Sequence, residues 1–163
     1  MQNTDAVAWT KKLVGIESTN PGKEEHEIAG FLKQEIRAVL PERGELKKDY
    51  TREGRPVLLA VLPGETKEEM VLICHMDTVT LGDGWDADIP PLGTVVRNDK
   101  LYGRGACDMK GGLACAIAAL VHALERVAAE GALPHRGFSL ICSVDEEDFM
   151  RGSEAAIDAG WVG

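Results

Sequence analysis

The chain has 163 residues, of which 44% are hydrophobic, and this is enough for one substantial core but too little for two comfortable domains. Its 27 acidic residues outnumber its 18 Lys and Arg residues and give a net charge of -9, which repels phosphate backbones and anionic membrane surfaces. We therefore expect one domain over residues 1–163, with neither nucleic acid nor a membrane as a partner.

The beginning of the chain predicts two amphipathic helices. Apolar residues recur at helical spacing over residues 4–16, behind Thr4 or Asp5 as a candidate N-cap. A second apolar stripe covers residues 28–40 and stops at Pro41, which cannot continue a helix. Both helices precede all of the predicted strands.

Three strands follow these helices. The polar segment 45–51 is typical of a sheet edge, whereas residues 56–64 and 71–79 are nearly continuously apolar. Apolar runs of this kind predict central strands that helices cover on both faces.

The second half of the chain alternates between strands and helices. It predicts an irregular segment at residues 81–98, a short strand at 101–105 and a long Ala-rich helix at 109–130. A buried strand at 136–144 and a last helix at 153–160 follow. Gly131 is expected to end the long helix and Ser153 to cap the last one. We predict an α/β fold with a mixed, mostly parallel sheet and helices on both faces.

Cysteine usage and the first residues bear on the cellular compartment. The chain begins without the basic stretch and apolar core of a secretory signal, and no apolar run approaches the roughly 20 residues that cross a bilayer. The cysteines lack CxxC or paired spacing, which favours reduced thiols. We interpret Cys74, Cys115 and Cys142 as small buried hydrophobic residues and expect a cytoplasmic protein.

Two buried strands end on polar side chains, in HMD at residues 75–77 and in DEE at 145–147. In open α/β sheets the ligand crevice lies beyond the carboxyl ends of the strands. His75 and Asp77 are two apart, so their side chains project to the same side, near enough for the carboxylate to orient the imidazole. Asp108 lies just before the long helix, where free amides and the helix dipole favour a carboxylate.

One imidazole with several carboxylates is a ligand set suited to zinc, cobalt or manganese. A divalent ion, or two about 3.5 to 4 Å apart that share a carboxylate, would relieve the repulsion among these acids and supply a Lewis acid. The neighbouring Glu146 and Glu147 indicate a division of labour, in which one binds metal and the other takes a proton from water.

Four segments resemble, in order, the motifs of the dinuclear zinc amidohydrolases that include acetylornithine deacetylase, succinyl-diaminopimelate desuccinylase, aminoacylase and glutamate carboxypeptidase. They are IESTNPGKEEHEIAGFL, HMDTV, LYGRGACDMKGG and DEEDFMRGSEAAIDAGWV, and together they span nearly the whole chain. The resemblance implies metal-dependent hydrolysis of an amide bond in N-acyl amino acids or small peptides, with zinc as the metal and cobalt or manganese as alternatives.

The resemblance also implies a role for each site residue. His75 would be a ligand of one metal, Glu147 a ligand of the other, and Asp108 a bridge between the two. Glu146 would be the general base, and Asp77 would orient His75. The peptide bond that follows Asp108 would be cis.

The same family carries two further ligands, an acid on the strand after the helix that ends in AGWV and a late histidine, with a lid and dimerisation domain between them. The sequence stops at Gly163 without these parts, and Asp158 has the pattern of a solvated helix residue, which disfavours it as a substitute. We therefore expect a truncated catalytic domain that is weakly active or inactive alone. An exposed sheet edge would then favour a homo-oligomer.

Two functions of other classes stay open. One is a non-catalytic half-domain that folds and self-associates or needs a complementing chain. The other is a phosphate- or nucleotide-binding module, which GRGACDMKGG supports weakly because it lacks the GxxxxGK[ST] and GxGxxG spacings. His75, taken alone, is also compatible with a core histidine that is hydrogen-bonded to Asp77. Asp145 and Asp148 are compatible with surface acids in a solvated turn.

Overall fold

The centre of the fold is a mixed four-stranded sheet, seen in a computed structural model that describes residues 4–40 and 44–162. The sheet strands are β1 (Glu45–Tyr50), β2 (Pro56–Leu62), β3 (Glu69–His75) and β6 (Gly137–Ser143), and β4 (Val95–Arg97) pairs with β5 (Lys100–Tyr102) in a separate hairpin. The helices are α1 (Ala6–Val14), α2 (His26–Val39), α3 (Gly111–Glu130) and α4 (Arg151–Asp158). The predicted α/β class with a mixed sheet and helices on both faces is confirmed, although two of the three strand pairings in the described part of the sheet are antiparallel.

The strand order β1-β2-β6-β3 places the site. β2 pairs antiparallel with both β1 and β6, and β3 pairs parallel with β6. The parallel pairing aligns the carboxyl ends of β3 and β6, with His75 opposite Ser143. The HMD and DEE motifs therefore leave the sheet side by side, as the sequence predicts.

The two outer strands differ from expectation in one respect. The polar β1 lies at an edge, which confirms the prediction. The prediction that the apolar β3 is central is wrong for the described part of the chain, where β3 forms the other edge. Met70, Val71 and Ile73 are 61%, 39% and 50% exposed, because an apolar sequence does not by itself decide whether an element covers it.

Helices α1, α2 and α3 contact one another, and the ring of Trp9 in α1 meets that of Phe31 in α2 edge-to-face at 6.3 Å. Asp5 is the N-cap of α1, where its carboxylate accepts hydrogen bonds from the first free amides of the helix. The α2 helix ends at Val39, and Pro41, the predicted stop, lies outside the described residues.

The long helix α3 was predicted to start at Met109, but regular α-helix begins at Gly111, after a π-helical turn at Ala106–Lys110. Gly131 ends it in the left-handed conformation, as predicted.

Contrary to the sequence prediction, the segment Ala106–Glu130 is long and apolar enough to cross a membrane by length and composition. Its face with Leu113 and Leu120 is fully buried in the protein core.

The last helix, α4, lies against β1, β2 and β6. It begins at Arg151, with Met150 at the cap position, so the predicted cap at Ser153 is wrong. Gly152 sets this start, because a Cβ there would lie 2.4 Å from the amide nitrogen of Val144. Only a glycine lets the helix approach the end of β6 so closely.

Candidate metal centre

Three predicted metal ligands meet at the aligned strand ends. One possible ligand atom from each of His75, Asp108 and Glu147 lies within 4.8 Å of the others. The Nε2 atom of His75 is 3.1 Å from Oδ1 of Asp108. The His75 side chain is 6% exposed and the Asp108 side chain 77%, so the cluster has a buried base and a side open to solvent.

The π-helical turn brings Asp108 to this place. Asp108 and Met109 have non-helical backbone angles, and the peptide bond between them is cis, as the resemblance implied. The turn is preceded by Gly105, which has a φ of 78° and leaves room for Thr78, whose Cγ2 would be 2.4 Å from an added Cβ. The glycine therefore lets the turn lie directly against the chain that follows β3.

Asp77 lies behind His75, as predicted, and it also binds the second loop. The Nδ1 atom of His75 is 3.0 Å from the backbone oxygen of Asp77 and 3.6 Å from its Oδ1. In the neutral form of the ring, Nδ1–H donates to Asp77 and the lone pair of Nε2 faces the cluster, where it could bind a metal ion. The Asp77 carboxylate accepts hydrogen bonds from the backbone amides of Glu146 and Glu147 at 3.2 and 3.1 Å.

The ionisation of these groups follows from their contacts. Burial alone would raise the pKa of Asp77, but hydrogen bonds from His75, from two backbone amides and from Asn20 lower it to about 2. Burial alone would lower the pKa of His75, but hydrogen bonds with Asp77 and Asp108 raise it to about 9. The cluster therefore stabilises positive charge at His75.

Glu146 and Glu147 take different positions. Burial raises the pKa of Glu147, and the nearby carboxylates of Asp108 and Asp77 raise it further against the opposing effect of His75. Glu146 is 43% exposed in its side chain, with Oε2 3.7 Å from Nε2 of His75. It thus lies at the solvent side of the cluster.

The donor set fits a divalent ion. One imidazole nitrogen and two carboxylates are ligands that zinc and related metals accept, and a water molecule would complete a four-coordinate shell. Burial is the main cause that raises the pKa of Glu147, and repulsion from Asp108 and Asp77 adds to it, so a bound cation would oppose both effects. Within residues 4–40 and 44–162, this is the one group of three or more His, Cys, Asp or Glu side chains close enough to share an ion.

A buried charged network behind Asp77 was missed by the sequence analysis. Asp145, interpreted as a surface acid, is fully buried and pairs with Arg55 and Asn20, so that interpretation is wrong. Its backbone has a φ of 63°, which turns the chain at the start of DEED. Arg55 also pairs with the fully buried Glu25. The available signal was that each charge adjoins an element with a buried face, because Glu25 and Arg55 directly precede α2 and β2, and Asp145 follows β6.

Lys110 is a second buried charge that was not predicted. It is 1% exposed, and its ammonium donates a hydrogen bond to the backbone oxygen of Ile16 at 2.6 Å. Burial lowers its pKa to about 8, against the opposing effect of Asp77. It ties the end of the π-helical turn to the chain after α1.

The remaining candidate residues lie elsewhere. His26, His122 and His135 are exposed, and so are Asp148 and Asp158, as expected of solvated acids. Burial raises the pKa of Cys74 to about 11, and Cys74 is paired in register with the buried Cys142, which confirms both as buried thiols. The same prediction is wrong for Cys115, which is exposed on the outer stripe of α3 shared with His122.

Solved structures define the class of fold. An M20 family metallo-carboxypeptidase from Sulfolobus solfataricus superposes with a TM-score of 0.66 at 21% identity, covering 88% of this chain and 31% of that one. Human carnosine dipeptidase 1 gives a TM-score of 0.64 at 23% identity, covering 94% of this chain and 34% of that one. The fold is that of a metallopeptidase catalytic domain.

Sequence comparison gives the family. Residues 71–162, more than half of the chain, match Peptidase family M20/M25/M40, and the chain belongs to this family. It is 34% identical over 146 residues to succinyl-diaminopimelate desuccinylase of Gluconobacter oxydans, covering 88% of this chain and 35% of that protein. The enzyme of the same name from Rhodospirillum rubrum is 40% identical over 104 residues, 55% of this chain and 26% of that protein. The chain thus spans about a quarter to a third of the length of these relatives.

Proposed function

We propose that this chain contributes a divalent metal centre to the hydrolysis of an amide bond in N-acyl amino acids or small peptides. The observation that carries the proposal is the convergence of His75, Asp108 and Glu147 at a solvent-open sheet edge. Zinc suits this nitrogen and oxygen set, with cobalt and manganese as alternatives. The desuccinylase names of the relatives favour a deacylase.

Each residue has a role in this proposal. His75 and Glu147 would hold metal, with Asp108 as the ligand shared between their two sites. Asp77 fixes the ring of His75 through the contacts to its Nδ1. When bound, the metal supplies a Lewis acid that polarises the substrate carbonyl and makes water more acidic. Glu146 accepts a proton from the water that attacks the carbonyl carbon, and then gives it to the amine nitrogen as the carbon–nitrogen bond breaks.

The metal centre is tested by calorimetric titration of the metal-stripped 163-residue chain with zinc. His75→Ala should remove tight binding, because it deletes the only nitrogen donor of the cluster. His122→Ala is the matched control, since His122 is an exposed helical histidine. Equal zinc affinity in the parent chain and His75→Ala would contradict the proposal.

A second candidate function is self-association, which the exposed β3 edge favours. Met70, Val71 and Ile73 are exposed on an outer strand, and an uncovered apolar edge recruits further strands. We propose a homo-oligomer that pairs through β3, or a complementing chain bound there. Either arrangement would add strands to the sheet beside the metal centre.

Sedimentation velocity tests the oligomer. Val71→Lys should shift the chain to monomer, because a charge on the edge opposes strand pairing. Ile157→Lys is the control, since Ile157 is 60% exposed on α4, away from β3. A parent chain that sediments as one monomeric species at all concentrations would refute the oligomer.

A further inference from the structure

The segment after α1 runs beside the chain that follows β3. The backbone amide of Asn20 donates to the oxygen of Thr78 at 2.7 Å, and the amide of Thr78 donates to the oxygen of Ser18 at 3.0 Å. The hydroxyl of Ser18 also donates to the oxygen of Met76 at 2.7 Å. These bonds fix the Asn20 backbone next to Asp77, and the side chain points into the buried network.

The Asn20 side chain joins three charged groups at once. Its amino group donates to Oδ2 of Asp77 at 3.1 Å and to Oδ1 of Asp145 at 2.9 Å. Its carbonyl oxygen accepts from Nη1 of Arg55 at 3.4 Å. Asn20 is 6% exposed, so these contacts are made away from bulk water. An asparagine suits this place because one end of its amide donates and the other accepts.

Arg55 neutralises the acids on the inner side of this network. Its Nε donates to Oε2 of Glu25 at 2.8 Å, its Nη2 donates to Oε1 of Glu25, and its Nη1 donates to Asp145. The backbone amide of Asp145 donates back to Glu25 at 3.3 Å. The position of Asp145 is therefore set through its carboxylate and its backbone together.

These contacts act on the turn that carries the candidate base and ligand. Asp145 directly precedes Glu146 and Glu147, whose amides donate to the carboxylate of Asp77. Asp77 and Asp145 thus hold the turn from two sides, and Asn20 links the two carboxylates. We infer that Asn20 and Arg55 are positioning residues, which fix the 145–147 turn and thereby place Glu146 and Glu147 at the metal centre. The expected effect of these residues on metal affinity rests on the proposed function. Their role in holding the 145–147 turn in place does not depend on it.

The test compares Asn20→Ala with Arg151→Gln by amide hydrogen exchange and zinc titration of the 163-residue chain. Arg151 is the control because it contacts Asp145 from the surface side, with Nη1 3.3 Å from Oδ2 and a side chain that is 29% exposed. In Asn20→Ala the metal-free chain should lose protection at the amides of Glu146 and Glu147 by about tenfold or more, with β6 unchanged. Zinc affinity should fall by about 10- to 100-fold, the usual effect of removing a group that orients metal ligands. Arg151→Gln should show neither change.

Asn20→Asp provides a second variant that is expected to fold. It should be more damaging to both measurements than Asn20→Ala, because a third carboxylate would then face Asp77 and Asp145. Unchanged exchange at Glu146 and Glu147 in Asn20→Ala would overturn the inference. Equal loss of protection in β6 and in the turn would also overturn it, since the role would then be only structural. If His75→Ala left zinc binding intact, the proposed function would be contradicted. Amide hydrogen exchange in the 145–147 turn would still test the positioning role, because that measurement is made on the metal-free chain.

Discussion

Asp77 is a buried carboxylate that serves both halves of the site. It contacts Nδ1 of His75 and accepts hydrogen bonds from the backbone amides of Glu146 and Glu147. A shift of this one group would therefore move the proposed metal ligands and the proposed base together. The convergence of the proposed metal ligands was predictable because His75 and Glu147 lie at neighbouring strand ends, and Asp108 lies just before the long helix. The buried charged network behind Asp77 was not predictable from the sequence. A charged residue is usually buried only together with a partner, and partners such as Glu25 and Arg55 lie 30 positions apart in the chain.

Glu146→Gln separates proton transfer from metal binding. The substitution removes the proton acceptor but keeps the shape of the side chain, so hydrolysis of N-acyl amino acids by a full-length protein that contains this segment should fall by about 100-fold or more. Zinc affinity should stay within about threefold of the parent chain, because Glu146 is not among the clustered ligand atoms. Hydrolysis is measured by amine release, with the exposed neighbour changed in Asp148→Asn as the control. Undiminished turnover in Glu146→Gln would exclude it as the base.

Arg55→Met should destabilise the fold strongly. It leaves the fully buried Glu25 and Asp145 without their common cation, a change that typically costs about 3–5 kcal/mol of unfolding free energy. Arg126→Met is the control, because Arg126 forms an exposed pair with Glu130 on α3 that contributes about 0.5 kcal/mol or less. Urea unfolding measures both. Similar losses in the two variants would contradict the buried network.

At the scale of elements, apolar periodicity predicted the helices and strands well, because each element must bury one face or both. The predictions failed where the result depends on which element packs against a residue, because the local sequence does not specify this. The sequence of β3 predicts a central strand, but β3 lies at an edge, and Cys115 was predicted to be buried but lies on the outer stripe of α3. The start of α4 was misplaced because Gly152 is selected by close contact with β6 rather than by capping.

Gly105→Ala tests the turn that presents Asp108. The new Cβ would meet Thr78 and impose a left-handed conformation on alanine, so the turn must move and zinc affinity should fall by about tenfold or more. Gly131→Ala is the matched control, because Gly131 is also left-handed but has open space around it. That variant should lose about 1 kcal/mol of stability and keep its zinc affinity. Equal zinc affinity in the two variants would mean that the turn does not set the site.

At the scale of the whole molecule, the chain combines a well-buried core with an exposed edge at β3 and an acidic cluster open to solvent. It covers 35% of the Gluconobacter relative, so the 163 residues correspond to one part of that protein. The proposed metal binding would act at the carboxyl ends of β3 and β6, and the proposed chain association along the exposed edge of β3. We expect each to stabilise the same edge of the sheet.

Zinc should therefore raise the thermal stability of the chain. Free zinc at about 100 times its dissociation constant would add about 2.7 kcal/mol to the unfolding free energy, by mass action on the folded state. Differential scanning calorimetry with and without zinc measures the shift in Tm. His75→Ala should show little shift and His122→Ala the full one. The same shift in all three proteins would indicate that zinc binds elsewhere.

The central claim is that His75 and its neighbouring carboxylates hold the metal, and X-ray absorption spectroscopy of the zinc-loaded chain tests it most directly. The account predicts a shell of nitrogen and oxygen donors at about 2.0–2.2 Å with the multiple-scattering signal of an imidazole. That signal should vanish in His75→Ala and persist in His122→Ala. A sulfur shell at about 2.3 Å, or an imidazole signal that survives His75→Ala, would contradict the account.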